Sequence, residues 1–224
     1  MRPGAWPGGW NVLSPQFSPY WNDRGEPRPW RPGVVSGPRL PNFSDWQPGD
    51  VVLYAPEKYN AKQLVIAAAQ RTSFAAEHAC WTHCALYVGG GYIVDALGVG
   101  GVDKRPVETL TNDGHIRVRR LKAIDATAQQ DVCNDANAWI GTGYAAIKAT
   151  FAGLAQYFSP QWAQFILNLL QGDEALLYCA ELIEAVYTAQ LNVTVCNSTG
   201  LPLPAAYSRD SQFDEVLVGW RAAI

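Results

Sequence analysis

The hydrophobic and polar residues of this chain change their spacing at about residue 125. Before that point, short apolar runs alternate with turn residues, which is typical of β-strands. After it, apolar residues recur with the period of about 3.6 residues that marks an α-helix. Strands first and helices afterwards favour an α+β fold, in which helices gather against an antiparallel sheet.

Local signals bound each predicted element. The turn Trp46-Gln-Pro-Gly-Asp50 leads into an apolar strand, and Asn112-Asp113-Gly114 separates two later strands. Ser159-Pro160 supplies an N-cap and a first-turn proline for a helix. The predicted strands are 51–54, 102–110, 115–121 and 215–219, and the predicted helices are 61–70, 125–139, 144–157, one from 159, and 174–190.

A β-hairpin is predicted around Gly89-Gly90-Gly91, because glycine supplies the positive φ that a short loop needs. If all three glycines form the loop, Val88 faces Tyr92, and His83 lies diagonally from Asp95 on one face of the sheet. A loop with an even number of residues would send these two side chains to opposite faces. A paired histidine and aspartate therefore requires an odd loop.

A histidine held by a carboxylate can act as a general base, and Cys179 is the predicted nucleophile. In helix 174–190 it falls on the apolar face and points toward the body of the protein. A helix that began near Cys179 would favour its thiolate, whereas one that began at Glu174 would help less. Taken alone, a buried cysteine is most often a small core residue, and His83 alone is most often a core histidine.

The first 45 residues form a proline- and tryptophan-rich arm. Residues 1–48 hold ten of the 15 prolines and five of the nine tryptophans, which excludes regular helices and central strands. The arm is interpreted as an extended segment packed on the domain surface or as a docking segment for a partner. Residues 46–224 are predicted to form the catalytic domain.

Size and charge exclude several function classes. A chain of 224 residues, 48% hydrophobic, can form one sizeable core. A net charge of −3 argues against nucleic-acid binding. The first residues lack an apolar segment typical of a secretory signal, and no transmembrane segment is expected. The protein is therefore expected to be made in the cytoplasm.

No metal site is predicted, although His78, Cys80, His83 and Cys84 lie close together in sequence. Strand alternation sends His83 and Cys84 to opposite faces, and no second ligand pair follows. An odd count of five cysteines leaves at least one thiol free. The disulfide pairs that the sequence leaves open are Cys80 with Cys84 and Cys133 with Cys196.

Over residues 46–190 the chain resembles the NlpC-type cell-wall peptidases of the papain-like fold, in the circularly permuted arrangement in which the cysteine comes last. Asp95 stands where these enzymes commonly have histidine, and Ala180 where serine is frequent. The matching features are Gly49-Asp50 before a strand, His83 opening a strand, Asp95 twelve positions later, the Gly143-Tyr144 pair, and Tyr178-Cys179-Ala180-Glu181-Leu182.

This resemblance implies a cysteine hydrolase without a cofactor. Cys179 would attack a carbonyl, His83 would transfer the proton, and Asp95 would orient His83. The backbone N–H of Cys179 would stabilise the oxyanion. Weaker candidates for binding the substrate or its oxyanion are Tyr178, Thr82 and Tyr144.

The leading hypothesis is an enzyme that cuts peptide or amide bonds in bacterial peptidoglycan. Its substrate lies outside the cytoplasm, so the hypothesis extends to an antibacterial effector exported by a specialised machine such as type VI secretion. That role implies two protein partners, an immunity protein and a component of the secretion machine. The alternatives are a lipid acyl hydrolase or acyltransferase with the same triad, and a non-catalytic binding module.

Overall fold

The computed structural model describes residues 39–56, 58–97, 101–111, 114–122, 124–142, 178–195 and 202–222. Its centre is a six-stranded antiparallel sheet with helices packed against it, so the predicted α+β class is confirmed. The strand order is β5-β4-β3-β2-β6-β7, and β1 pairs with β8 in a separate two-stranded sheet. Among the described residues, no helix has both the length and the apolar character needed to cross a membrane.

The elements run in the following order along the chain. The strands are β1 Arg39–Asn42, β2 Val51–Pro56, β3 His83–Gly89, β4 Tyr92–Leu97, β5 Gly101–Pro106, β6 Gly114–Leu121, β7 Phe213–Val216 and β8 Gly219–Ala222. The helices are α1 Ala61–Gln70, α2 Ala76–Ala79, α3 Glu108–Thr111, α4 Ala126–Ala138, α5 Tyr178–Leu191 and α6 Pro204–Arg209.

The hairpin of β3 and β4 has the predicted register but a different turn. Leu86 pairs with Val94, which is the pairing expected from a three-residue loop, yet Gly89 rather than Val88 pairs with Tyr92. The register shifts at Val88, so a β-bulge adds one residue to β3. Only Gly90 and Gly91 form the loop, with φ of 63° and 83°. The two loop residues and the one bulged residue together make an odd number, which the predicted His83–Asp95 pair requires.

The sheet is buried on both faces. β2 is buried along its whole length, in agreement with its continuous apolar sequence. One face packs against α5, and the other is covered by residues around Trp46 and Leu110. The α5 face carries Val51, Leu53, Cys84, Leu86 and Val94, and the other face carries Val52, Tyr54, Ala85, Tyr87 and Ile93.

Several predicted elements are confirmed with small changes at their ends. Helix 61–70 forms with a capping box between Asn60 and Gln63. Helix α4 begins after an N-cap, Asp125, whose carboxylate accepts the Ala128 N–H. The strand predicted at 115–121 forms as β6. The helices predicted at 144–157 and from Ser159 lie outside the described residues.

Three predictions need correction. Residues 102–110 are not one strand, because β5 ends at Pro106 and α3 follows at once. Residues 215–219 do not form one strand either, since β7 and β8 are separated at Leu217 and Val218. The C-terminal region, where the sequence predicts only a strand at 215–219, also forms helix α6 with Pro204 at its start.

The predicted polar face of the cysteine helix is also buried. Glu181 and Glu184 lie on that face, and they are 9% and 5% exposed. The Glu184 carboxylate accepts the Tyr207 hydroxyl of α6 at 3.0 Å and the backbone N–H of Val195 at 3.1 Å. These hydrogen bonds compensate for burial of the charge and attach the C-terminal segment to α5.

The last residues of the N-terminal arm are part of the folded structure. β1 pairs with β8 over the register from Arg39 with Ala222 to Asn42 with Gly219. Phe43 then stacks on Tyr87 with ring centroids 6.0 Å apart, and Trp46 meets the same ring edge-on at 5.2 Å. These aromatic contacts cover the sheet face that lies opposite α5.

Candidate active site

His83 is the first residue of β3, and the backbone on both sides of it is held in place. It pairs with Tyr54 of β2, and the preceding Thr82 donates its N–H to the Tyr54 carbonyl at 2.9 Å. The fully buried amide of Gln70 donates to the carbonyl of Trp81 at 2.7 Å. Helix α1 therefore fixes the segment that enters the strand.

Asp95 lies on β4 and orients the imidazole of His83. Its carboxylate is fully buried, and Oδ2 is 2.6 Å from Nε2 of His83. Because the pairs Leu86–Val94 and Tyr87–Ile93 set the register, both side chains belong to the face of the sheet that carries Ala85 and Ile93. The structure thus brings together the histidine and aspartate predicted from sequence.

Arg105 of β5 is a third member of this group, and the sequence analysis missed it. Its Nε donates to Asp95 Oδ1 at 3.0 Å, and its Nη2 forms an ion pair with Asp95 Oδ2. Arg105 pairs with Ile93, and Asp103 pairs with Asp95, so Arg105 is a diagonal neighbour of Asp95. The alternation of Asp103 and Arg105 along β5 was the signal that could have identified it.

Cys179 approaches His83 from helix α5. It is the second residue of that helix and is 3% exposed. Its thiol and the His83 side chain lie close enough for each to shift the pKa of the other. Nε2 of His83 is bound to Asp95, which leaves Nδ1 as the ring nitrogen available to the thiol. Three separate elements, α5, β3 and β4, thus supply the three predicted catalytic side chains.

The electrostatics of the site favour a thiolate beside an imidazolium. Burial lowers the pKa of His83, but the charge of Cys179 and the hydrogen bond to Asp95 outweigh it and raise the pKa to about 10. The pKa of Cys179 falls well below its usual 9.0 because a hydrogen bond from Cys84 and the positive charge of His83 outweigh burial. Both shifts favour a Cys179 thiolate beside a His83 imidazolium in the resting enzyme.

Asp95 is ionised in the same site. Burial alone would raise its pKa, but the hydrogen bonds and charges of His83 and Arg105 lower it overall. A carboxylate that accepts charged hydrogen bonds from two cations keeps its negative charge at neutral pH. It can therefore hold the His83 imidazolium in a fixed orientation.

Of the three weaker candidates for binding the substrate or its oxyanion, only the side chain of Thr82 is described. Thr82 is 4% exposed, and its Oγ1 has no hydrogen-bond partner among the described residues. The side chains of Tyr178 and Tyr144 lie outside the described part of the structure. Asp50, matched to the family through Gly49-Asp50, has a structural role, because its carboxylate accepts the Gln47 N–H and binds Arg120 at 2.7 Å.

The residues considered as metal ligands bind protein groups. His78 Nδ1 is 2.9 Å from the Ser208 hydroxyl, and the Cys80 thiol donates to the Glu77 carbonyl at 3.4 Å. The cysteines Cys80, Cys84, Cys133 and Cys179 are not in disulfides, so neither the Cys80–Cys84 nor the Cys133–Cys196 pair is formed. Within the described residues, no group of three or more histidine, cysteine or acidic side chains is arranged to hold a metal ion.

No protein-family model matches the chain, and no curated protein matches it. Among solved structures, it is similar to the metalloprotein yiiX of Escherichia coli O157:H7, described as DUF1105, with 16% identity and a TM-score of 0.47. The alignment covers 79% of this chain and 99% of that chain. A similarity of this strength supports no conclusion about activity.

Proposed function

We propose that this protein is a cysteine hydrolase of the permuted papain-like type that cleaves amide bonds in bacterial peptidoglycan. The observation that carries the proposal is the hydrogen bond between His83 and Asp95, with Cys179 close enough to His83 for each to shift the pKa of the other. A buried thiol with a lowered pKa, a base and an orienting carboxylate are the parts that acyl transfer needs. The base precedes the nucleophile in sequence, which is the order in the permuted enzymes that the chain resembles.

The reaction would proceed in two steps. The Cys179 thiolate attacks the amide carbonyl, and the His83 imidazolium gives its proton to the leaving amine, which leaves an acyl thioester on Cys179. Neutral His83 then takes a proton from water, whose oxygen attacks the thioester and releases the carboxylic acid and the thiolate. His83 is then protonated again and lies beside the Cys179 thiolate, as before the reaction.

Two groups are available to stabilise the oxyanion. The first is the backbone N–H of Cys179, which is the second described residue of α5. The second is the buried Thr82 hydroxyl next to His83, which has no partner among the described residues. A donor that is already in place costs little reorganisation during the reaction.

The choice of peptidoglycan rests on the family resemblance of the motifs around His83, Asp95 and Cys179. In the enzymes that the chain resembles, histidine is common at the position of Asp95. The ion pair with Arg105 explains how a buried aspartate can orient His83 instead. A neutral histidine at this position would not need the ion pair, whereas a buried aspartate does. We therefore propose that the ion pair with Arg105 keeps Asp95 ionised, so that it can orient His83.

Purified peptidoglycan sacculi test the proposal. The protein should release new muropeptides that mass spectrometry detects, and Cys179→Ala should release none. The identity of the new ends would name the bond that is cut. Failure of both proteins on sacculi of several crosslink types would overturn the peptidoglycan proposal. Release of fatty acid from phospholipid vesicles by the wild type alone would then support the acyl hydrolase instead.

The effector role is a separate part of the proposal. Expression in the periplasm of a sensitive bacterium should lyse the cells, whereas cytoplasmic expression should be tolerated, because the wall lies outside the cytoplasm. Cys179→Ala should be harmless in both compartments. Equal toxicity of Cys179→Ala would favour the non-catalytic binding module.

A further inference from the structure

The hydroxyl of Ser208 joins helix α6 to both α2 and β6. Ser208 lies in α6 and is 2% exposed. Its Oγ is 2.9 Å from Nδ1 of His78 in α2 and 2.6 Å from Nη1 of Arg117 in β6. The same Nη1 donates to the Ser208 carbonyl at 3.1 Å. One buried residue therefore connects three elements that are far apart in sequence.

The donors and acceptors of this cluster determine the tautomer of His78. A guanidinium can only donate, so Ser208 Oγ accepts the hydrogen bond from Arg117. Among the described residues, the hydroxyl proton of Ser208 then has one acceptor within reach, which is Nδ1 of His78. An accepting ring nitrogen carries no proton, so the proton of the neutral ring is on Nε2. That nitrogen lies 3.4 Å from the carboxylate of Glu77.

Protonation of His78 would disrupt this arrangement. Nδ1 would become a donor, so Ser208 Oγ would accept from two cations, and the hydroxyl proton would lose its acceptor. A buried polar group without a partner is unfavourable. The shared oxygen would also hold the positive charges of His78 and Arg117 close together. Neutral His78 thus stabilises the contact between α2 and α6, and the imidazolium destabilises it.

The charges around His78 act in the same direction. The groups that face it are Arg117 and Arg119 of β6, Arg209 of α6 and Glu77 of α2. Glu77 favours the imidazolium, but its side chain is 61% exposed, so solvent screens its charge. Burial and the three arginines lower the pKa of His78 below its usual 6.5. His78 is therefore neutral at pH 7 and takes up a proton in acid.

We propose that His78, Ser208 and Arg117 form a proton-sensitive latch, which holds α6 on the domain at neutral pH and releases it in acid. The proposal is independent of the proposed hydrolase activity, because it involves neither Cys179 nor a substrate. The unfolded chain takes up a proton on His78 at a higher pH than the folded chain does. The stability that the latch contributes is therefore complete above pH 6.5 and decreases as the pH falls below 6.5.

The latch lies next to the helix that carries Cys179. Tyr207 precedes Ser208, and its hydroxyl lies 3.0 Å from the Glu184 carboxylate and 3.2 Å from the Ala180 carbonyl of α5. Helix α6 is thus bound to α5 through Tyr207 and to α2 and β6 through Ser208. Release of α6 in acid therefore also weakens a contact that supports α5.

Hydrogen exchange followed by mass spectrometry tests the latch. The reporter is the peptide that contains α6, in which the Ala205 N–H donates to the Gln70 side chain at 2.9 Å. His78→Asn places a neutral amide near the position of Nδ1, so it can accept from Ser208 at every pH. His115→Asn is the matched control, because it removes a histidine of β6 that is outside the latch. Variants and wild type are compared at the same pH, so the intrinsic dependence of exchange on pH cancels.

At pH 5 the α6 peptide should exchange about fivefold faster in the wild type than in His78→Asn, the factor that corresponds to one lost hydrogen bond. At pH 7.5 the two proteins should exchange at about equal rates. His115→Asn should match the wild type at both pH values, and peptides from β2 should show no difference. Equal exchange of α6 in the wild type and His78→Asn at pH 5 would overturn the proposal.

A second measurement uses the wild type alone. Long-range ¹H–¹⁵N NMR spectra of its three histidines report the tautomer and the pKa of each ring. We expect His78 to carry its proton on Nε2 at neutral pH and to titrate below 6.5. A neutral His78 protonated at Nδ1, or titration at or above 6.5, would overturn the proposal even if His78→Asn does not fold. Neither experiment depends on whether sacculi are cleaved.

Discussion

Arg105 and Asp95 form an ion pair between β5 and β4, and the same Asp95 oxygen lies 2.6 Å from Nε2 of His83. One buried carboxylate therefore joins three adjacent strands at the reactive end of the sheet. Because Asp95 binds Nε2, the other ring nitrogen of His83, Nδ1, is available to Cys179. The orientation of the base depends on a residue that itself depends on Arg105.

Asp95→Asn should reduce the rate of amide cleavage by roughly 10² to 10⁴, because the side-chain amide no longer stabilises the imidazolium and can favour the wrong tautomer. The measurement is kcat/KM on the muropeptide identified with sacculi. Asp103→Asn is the control, since Asp103 pairs with Asp95 in register but is exposed. Equal losses in the two variants would show that Asp95 has no special role.

Arg105→Gln should shift the acid limb of the activity profile to higher pH. Removal of the guanidinium raises the pKa of Asp95, which is otherwise held low by His83 and Arg105 against burial. Asp95 would then be protonated at a pH where the wild-type enzyme is still active. Lys104→Gln is the control, because Lys104 is exposed on the same strand and contacts the Tyr92 ring. An unchanged acid limb in Arg105→Gln would contradict this account.

The His83–Cys179 ion pair predicts how unfolding free energy depends on pH. The raised pKa of His83 gives stability that is full below 6.5 and lost as pH rises toward about 10. The lowered pKa of Cys179 gives stability that is present above 9.0 and lost as pH falls through its folded value. The two changes cancel between 6.5 and 9.0, where one proton is bound by the pair in both states.

Urea unfolding of the wild type and of His83→Gln/Cys179→Ala checks this prediction. The difference in unfolding free energy between the two proteins should stay constant from pH 6.5 to 9.0. It should decrease below pH 6.5 and above pH 9.0. The difference curve removes the contributions of groups that both proteins share, such as Asp50. A difference that slopes steadily through the neutral range would mean that the ion pair is absent in the folded state.

Gln70→Met should destabilise the protein by about 3 kcal/mol or more, because buried groups without a hydrogen bond each cost about 1 to 3 kcal/mol. The Gln70 amide donates to the carbonyls of Trp81 and Ala79 and accepts the Ala205 N–H. The melting temperature should fall by roughly 6 to 12 °C. Gln130→Met on the exposed side of α4 should change it by less than about 2 °C.

The sequence predicted the hairpin well because the alternation of side chains leaves little freedom. Leu86 and Val94 had to share the core face, so their pairing followed from the apolar pattern. The bulge at Val88 could not be predicted in the same way, since a loop of three and a loop of two with a bulge satisfy the same alternation. The alternation of side chains determines whether an odd or an even number of residues connects the two strands. Local backbone geometry determines which type of turn they form.

Arg105 could not be assigned from sequence because its role depends on a contact between two strands. The strand containing Arg105 was predicted without a register against β4, and that register makes it a neighbour of Asp95.

The measurement that tests the central claim most directly compares alkylation of Cys179 at pH 6 in the wild type and in His83→Ala. Cys179 should react faster than Cys80 and Cys133, whose pKa values burial raises to about 12 and about 11. In His83→Ala the rate at Cys179 should fall about tenfold or more, because the thiolate loses its cation. Equal rates at Cys179 in the two proteins would contradict the claim that His83 activates this cysteine.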